Sequence, residues 1–159
     1  MHGQTGGATS SGRKTGLARS TQIVFPGPKA TESERLAAEA ARLAWDRGAR
    51  VAVLPGVPFG VNTTQLDIPL TLNMMPSTQL ALLSDLASAL AGQGITKLVV
   101  LNGHGGNDFK PIIRELHARV RMHISLVNWW TAVDGKAYFG DLGDHAGELE
   151  TSVMMHLVP

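Results

Sequence analysis

Two short stretches of this sequence carry side chains suited to chemistry. The first is LNGHGGN at 101–107, where His104 stands among Gly103, Gly105 and Gly106. Histidine titrates near neutrality and ligates metals as neutral imidazole, and glycines permit backbone angles and close approaches that a β-carbon forbids. The second is DHAGELETS at 144–152, with Asp144, His145, Glu148 and Glu150. If a helix starts near His145, Glu148 follows at i+3 and Asp144 sits at the cap, so imidazole and carboxylate face the same way. That geometry suits metal ligation or a proton relay. It also suits an ordinary acidic first turn, which the helix dipole favours, just as the His104 stretch suits a tight turn whose His caps the next helix. Glu150 points elsewhere on an ideal helix, as a supporting group or a surface residue.

Brought together, neutral His and carboxylate side chains would hold Zn²⁺ or a similar divalent ion, which lowers the pKa of a bound water. A further acid or His would protonate the leaving nitrogen or oxygen. The implied reaction class is metal-assisted hydrolysis. Trp129 and Trp130 are adjacent, so on a strand they face opposite sides, one into the core and one able to wall a pocket. His117, His123 and His156 read as structural or exposed. The glycine turn is neither a dinucleotide fingerprint nor a phosphate loop: Gly103, Gly105 and Asp108 break G-x-G-x-x-G, and no Lys-Ser/Thr pair follows. A small anion- or nucleotide-binding module built on the Gly103 turn is a further alternative.

The elements that must position these residues follow from periodicity. The run Leu98, Val99, Val100, Leu101 is apolar throughout, as in a parallel strand covered on both faces, and predicts a strand over 97–101. Open α/β sheets place their chemistry just beyond the carboxyl ends of such strands. Thr31 and Glu34 form a capping-box pattern for a helix over 31–47 that ends at Gly48. A strand over 50–54 leads into a long Pro-containing loop over 56–71, with a short extended piece near Ile68. Long loops after strands are often functional. Pro76 and Ser77 open a helix that ends at Gly92 or Gly94. Asn107 or Asp108 caps another helix through about Val120, with Pro111 tolerated in its first turn. A strand over 123–129, a loop over 131–143 and a last helix complete the order. Strands alternating with helices of this length predict an α/β fold, three-layer α/β/α with a mostly parallel sheet.

The chain has 159 residues, 43% hydrophobic and 17% charged, enough for one domain with a true core. It has no cysteine, which excludes disulfides and thiolate metal sites. No apolar run approaches the ~18 residues of a membrane span, so a soluble, cytoplasmic protein is expected. Residues 1–30 hold Arg13, Lys14, Arg19 and Lys29 and no acid, leaving ten bases against thirteen acids in the rest. That mildly acidic body carries no nucleic-acid footprint. Residues 1–30, rich in Gly, Ser and Thr, read as disordered or non-native, and 31–159 as the domain.

LNGHGGN at 101–107, PFGVNTTQLDIP at 58–69 and DHAGELETS at 144–152, in that order, resemble the creatininase family of metal-dependent amidohydrolases. The resemblance covers about 31–159. It implies an α/β/α fold assembled as a homohexamer, with Zn²⁺, or alternatively Fe²⁺ or Mn²⁺, activating water against a C–N bond of a small amide or cyclic amide. His104 matches the family's metal-binding His. Creatinine-hydrolysing members carry a ligand Glu two residues later, where this chain has Gly106, which counts against creatinine and makes Glu148 the candidate replacement ligand. His145 matches the proposed proton donor and Glu150 the acid of the ETS motif. Trp129, Trp130, Asn102 and Gly103 are the expected substrate pocket.

Members also carry a Glu/His motif and a Thr-Asp before the first helix, where this chain reads RSTQIVFPGPKATESER at 19–35. No Glu, His or Asp occurs between Gln4 and Thr31. The chain is therefore expected to be truncated relative to the family and its metal shell incomplete. A catalytically inactive remnant or assembly subunit is the alternative to an active hydrolase.

Overall fold

The computed structural model describes residues 22–26, 30–143 and 147–157. Four strands form one sheet: β1 (Gln22–Pro26), β2 (Val51–Val53), β3 (Lys97–Asn102) and β4 (His123–Asn128). Their order is β2-β1-β3-β4 and every pairing is parallel. The register runs Gln22 beside Val51 and Lys97, and Lys97 beside His123. Helices α1 (Ala30–Asp46), α2 (Pro76–Gly92) and α3 (Phe109–His117) link successive strands, and α4 (Glu148–Leu157) follows.

Side chains alternate across β3, and each face meets a different helix pair. Leu98 and Val100 join Leu83, Ala87 and Leu90 of α2 and Ile112, Ile113 and Leu116 of α3. Leu101 points the other way, to Ala37 of α1 and Leu149 of α4. This double coverage explains why the strand is apolar without alternation. Leu98 is 0% exposed, a burial worth about 1.5–3 kcal/mol. The fold is thus three-layered α/β/α, as the pattern predicts, with a sheet that is wholly parallel among the described residues.

The strand order places chain-adjacent β1 and β2 on one side and β3 and β4 on the other. Winding therefore reverses between β1 and β3, and ligand crevices of open α/β sheets form at the carboxyl ends of the two strands flanking such a reversal. Pro26 and Asn102 mark those ends here.

Several expectations need correction. Residues 22–26, assigned to a loose segment, form a strand flanked by β2 and β3; five residues are too few to establish a period, and their pairing is tertiary. Residues 1–21 and 27–29 lie outside the described residues. Helix α1 begins at Ala30, ahead of the expected cap position, and Glu34 Oε1 accepts from the Gly56 N–H at 2.9 Å. The extended piece near Ile68 is absent; the loop instead pairs Gly60 with Asn73, and Thr63–Gln65 makes a 3₁₀ turn. Helix α3 stops at His117, whose Nε2 accepts from the Ile124 N–H. The fourth strand ends at Asn128, and Trp129 and Trp130 open a 3₁₀ turn over Trp129–Thr131.

Candidate functional site

Beyond the carboxyl end of β3 lies a cleft of ≈ 540 Å³. Its floor is the 103–106 turn with the His104 side chain. One wall is Val61, Asn62, Thr64 and Gln65 from the long loop. The opposite wall is Trp130, Leu142, Gly143, Leu149 and Glu150. An imidazole from the middle of the chain and a carboxylate from α4 therefore share one concavity. Its lining mixes carboxamide and hydroxyl groups with a few apolar surfaces, which suits a small polar ligand.

The turn is held by buried carboxamides. Asn102, at the last position of β3, is 1% exposed. Its Oδ1 accepts from the His104 N–H at 3.1 Å and from Asn107 Nδ2 at 3.1 Å, and its Nδ2 donates to Asn128 Oδ1 at 3.0 Å. Asp108 Oδ1 accepts from the Lys110 N–H and caps α3. Gln79 is the polar member of the buried stripe Gln79, Leu83, Ala87, Leu90 on α2. It lies in the first turn, next to the site, and reaches Asn107 Oδ1 at 2.8 Å.

Glycine at 106 is a spatial requirement. A β-carbon there would stand 2.4 Å from the Val61 carbonyl oxygen and 2.8 Å from His104 Cε1. Gly143, with φ +63°, and Gly147 approach each other as closely: a β-carbon on Gly143 would lie 2.6 Å from Gly147 Cα.

Of the residues expected to act, His104, Gly103, Trp130 and Glu150 line the cleft. His145 lies outside the described residues. Glu148 is exposed, and its Oε2 accepts from the Asp141 N–H at 3.2 Å. Helix α4 begins at Glu148 itself, so the expected i,i+3 pairing with His145 falls outside the described residues. Two residues further on, Glu150 is half-buried and turned to the cleft. Trp129 is buried against Leu101, Ala37 and Leu149, with its ring 6.5 Å from that of Trp130 and edge-on to it. Asn102 supports the turn from beneath.

Reading the sequence missed Asn107 as more than a possible cap, and it missed Gln79 and Asn128. A polar residue inside an apolar helical stripe was the available signal for Gln79. Glu32 and Ser33, buried in the first turn of α1, sit at the same end of the sheet.

A parallel α/β/α protein with a polar cleft at its switch point belongs to the ligand-binding doubly wound class. The comparisons narrow this. The profile of a family described as creatinine amidohydrolase matches residues 30–159. A Bacteroides fragilis protein assigned as a creatinine amidohydrolase is 40% identical, with a TM-score of 0.76 over 85% of this chain and 60% of its own. A creatininase described with manganese is 23% identical, with a TM-score of 0.70 over 88% of this chain and 66% of its own. A mutant creatininase complexed with creatine is 24% identical, with a TM-score of 0.67 over 88% and 67%. The last two similarities show the fold alone. No curated protein matches the sequence. The chain belongs to the creatininase family, and it spans 60% of the length of its Bacteroides relative.

Among the described residues, no three His, Cys, Asp or Glu side chains gather where they could hold a metal ion. His104 and Glu150 offer one imidazole and one carboxylate, a donor pair of the right chemistry, but catalytic zinc sites draw three protein ligands. The described residues do not complete such a shell. No described helix is long and apolar enough to cross a membrane.

Proposed function

We propose that this chain is an amidohydrolase domain that cleaves the C–N bond of a small amide or cyclic amide, working with a divalent ion. Support comes chiefly from one observation: His104 and Glu150, 46 residues apart in sequence, line the same switch-point cleft in a member of the creatininase family. The ion is Zn²⁺ first, with Mn²⁺ or Fe²⁺ as alternatives; the solved relatives include manganese and zinc–zinc forms of creatininase. Such an ion, where bound, lowers the pKa of water. His104 is the residue assigned to it.

The protein's own groups supply the substrate side. Glu150 holds or moves a proton at the reacting centre, and His145, by its match to the family motif, protonates the leaving nitrogen. Gln65 offers a carboxamide complementary to an amide substrate, and Trp130 provides a flat wall. Gly106 argues against creatinine as the substrate, because it stands where creatinine-hydrolysing members carry a ligand Glu and a β-carbon there would already meet the Val61 carbonyl and the imidazole.

A homo-oligomer fits the surface. Leu66, Ile68, Leu70 and Leu72 are all exposed on the outer side of the loop whose inner side walls the cleft. Apolar clustering of this kind marks an association surface.

A second reading is favoured by the absence of a three-donor cluster among the described residues: an inactive remnant that keeps the scaffold and the assembly surface. Metal analysis of protein loaded with Zn²⁺ or Mn²⁺, together with ammonia or amine release from a panel of small amides, separates the two. About one ion per chain and turnover that His104→Ala abolishes support the hydrolase. No bound ion and no turnover support the remnant.

A further inference from the structure

The two sides of the cleft come from distant pieces of chain, and one buried carboxamide touches both. Asn107 Oδ1 accepts from the Val61 N–H at 2.9 Å and from Gln79 Nε2 at 2.8 Å. Its Nδ2 donates to Asn102 Oδ1 at 3.1 Å, the same oxygen that accepts from the His104 N–H. The Asn107 N–H closes the turn on the His104 carbonyl at 3.2 Å. Asn107 is 6% exposed and Gln79 4%, so water competes little for these bonds. Both acceptor positions of the Asn107 oxygen are filled.

The loop on the other side is tied mainly to itself. The Met74 N–H donates to the Gly60 carbonyl at 2.8 Å, the Asn62 N–H to Asn73 Oδ1 at 2.7 Å, and Asn62 Nδ2 to the Leu72 carbonyl at 2.8 Å. A self-closed loop of this kind moves as a unit, so its few outside attachments decide where it sits. The Val61–Asn107 bond is the attachment next to the cleft.

We infer that Asn107 is a positioning residue that fixes the spacing between the His104 turn and the 61–65 wall, with Gln79 bracing its oxygen. An amide plane is rigid, so a shift on the Val61 side is transmitted to Asn102 and from there to the His104 backbone. The role is one of geometry; its catalytic meaning rests on the hydrolase reading above.

The test is amide hydrogen exchange on the full chain, read residue by residue. In Asn107→Ala the Val61 amide, which loses its acceptor, exchanges faster by about tenfold, and the His104 amide, whose acceptor Asn102 loses its brace, exchanges faster by a smaller factor, while Leu98 and Val100 of β3 keep their protection. Asn107→Asp keeps the acceptor and loses the donor, so His104 exchange rises while Val61 stays near wild type. Unchanged Val61 exchange in the alanine variant, or equal acceleration in β3, overturns the inference. If the alanine variant does not fold, the aspartate variant decides: selective acceleration at His104 supports the role, and uniform or absent change refutes it. Titration with Zn²⁺ alone runs in parallel. Wild-type protein that takes up no Zn²⁺ counts against the metal-dependent reading, whereas the exchange pattern still decides the role of Asn107.

Discussion

The imidazole of His104 lies directly over Gly106, so close that a β-carbon at 106 would stand 2.8 Å from Cε1. The same β-carbon would meet the Val61 carbonyl oxygen at 2.4 Å, and that atom is backbone. Gly106→Ala must therefore push the turn and the loop apart. Overpacking of this type costs about 1–3 kcal/mol. Urea denaturation checks it: the midpoint should fall with the slope unchanged, and a wild-type midpoint would show that the turn yields freely.

Glu148 and Glu150 divide two roles that the sequence left together. Glu150 borders the cleft, whereas the exposed Glu148 carboxylate takes the Asp141 N–H. If the chain hydrolyses amides, Glu150→Gln should lower turnover about a hundredfold or more, the usual scale for losing a proton-transferring group. Glu148→Gln should leave it within a few-fold, since an amide oxygen can still accept from Asp141. Equal losses in both variants would return Glu148 to the site.

How far the sequence carried this reading differs between elements and site. The strand, predicted over 97–101 and found over 97–102, was legible because burial on both faces leaves a continuous apolar run, and α2 because Pro76 and Gly92 punctuate a regular stripe. Strand β1 was not, since Gln22–Pro26 is defined by its pairing with β2 and β3 and not by any period of its own. In the site, His104 stood out through its glycines. The start of α4 did not: the helix begins at Glu148, which is exposed, and Glu150 two residues on lines the cleft. The carboxamide network was invisible for a simpler reason: Gln79, Asn107 and Asn128 become partners only once α2, the turn and β4 are packed.

Leu70 combines a left-handed backbone, φ 66°, with 97% exposure. An aliphatic side chain there is strained, and it presents apolar surface that gains nothing in a monomer. Leu70→Asn suits both conditions, because Asn is the non-glycine residue that enters this region most readily. The variant monomer should be as stable as wild type or more so, by up to about 1 kcal/mol. If the chain forms the proposed homo-oligomer, its self-association should weaken. Sedimentation across a concentration series tests the second point, and an unchanged assembly would place the oligomer surface away from this loop.

Asn102 offers the sharpest pH signature. Its Nδ2 donates to Asn128 Oδ1 at 3.0 Å, so Asn102→Asp replaces a donor with an acceptor facing another oxygen, in a position 1% exposed. The His104 and Asn107 donors on one oxygen suit either form, but only the protonated acid restores a donor toward Asn128 Oδ1, and burial disfavours the charge, so the folded-state pKa lies above the unfolded value near ~3.9. A raised folded pKa means that the protonated side chain is retained on folding. The variant is therefore closest to wild type below pH ~4 and loses stability as pH rises from there through the folded pKa, after which the deficit is constant. Denaturation midpoints at pH 4 and pH 7, each compared with wild type at the same pH, give the result. A deficit that is equal at both would mean that residue 102 finds water or a new donor, and that the turn beneath His104 is less tightly closed than its hydrogen bonds indicate.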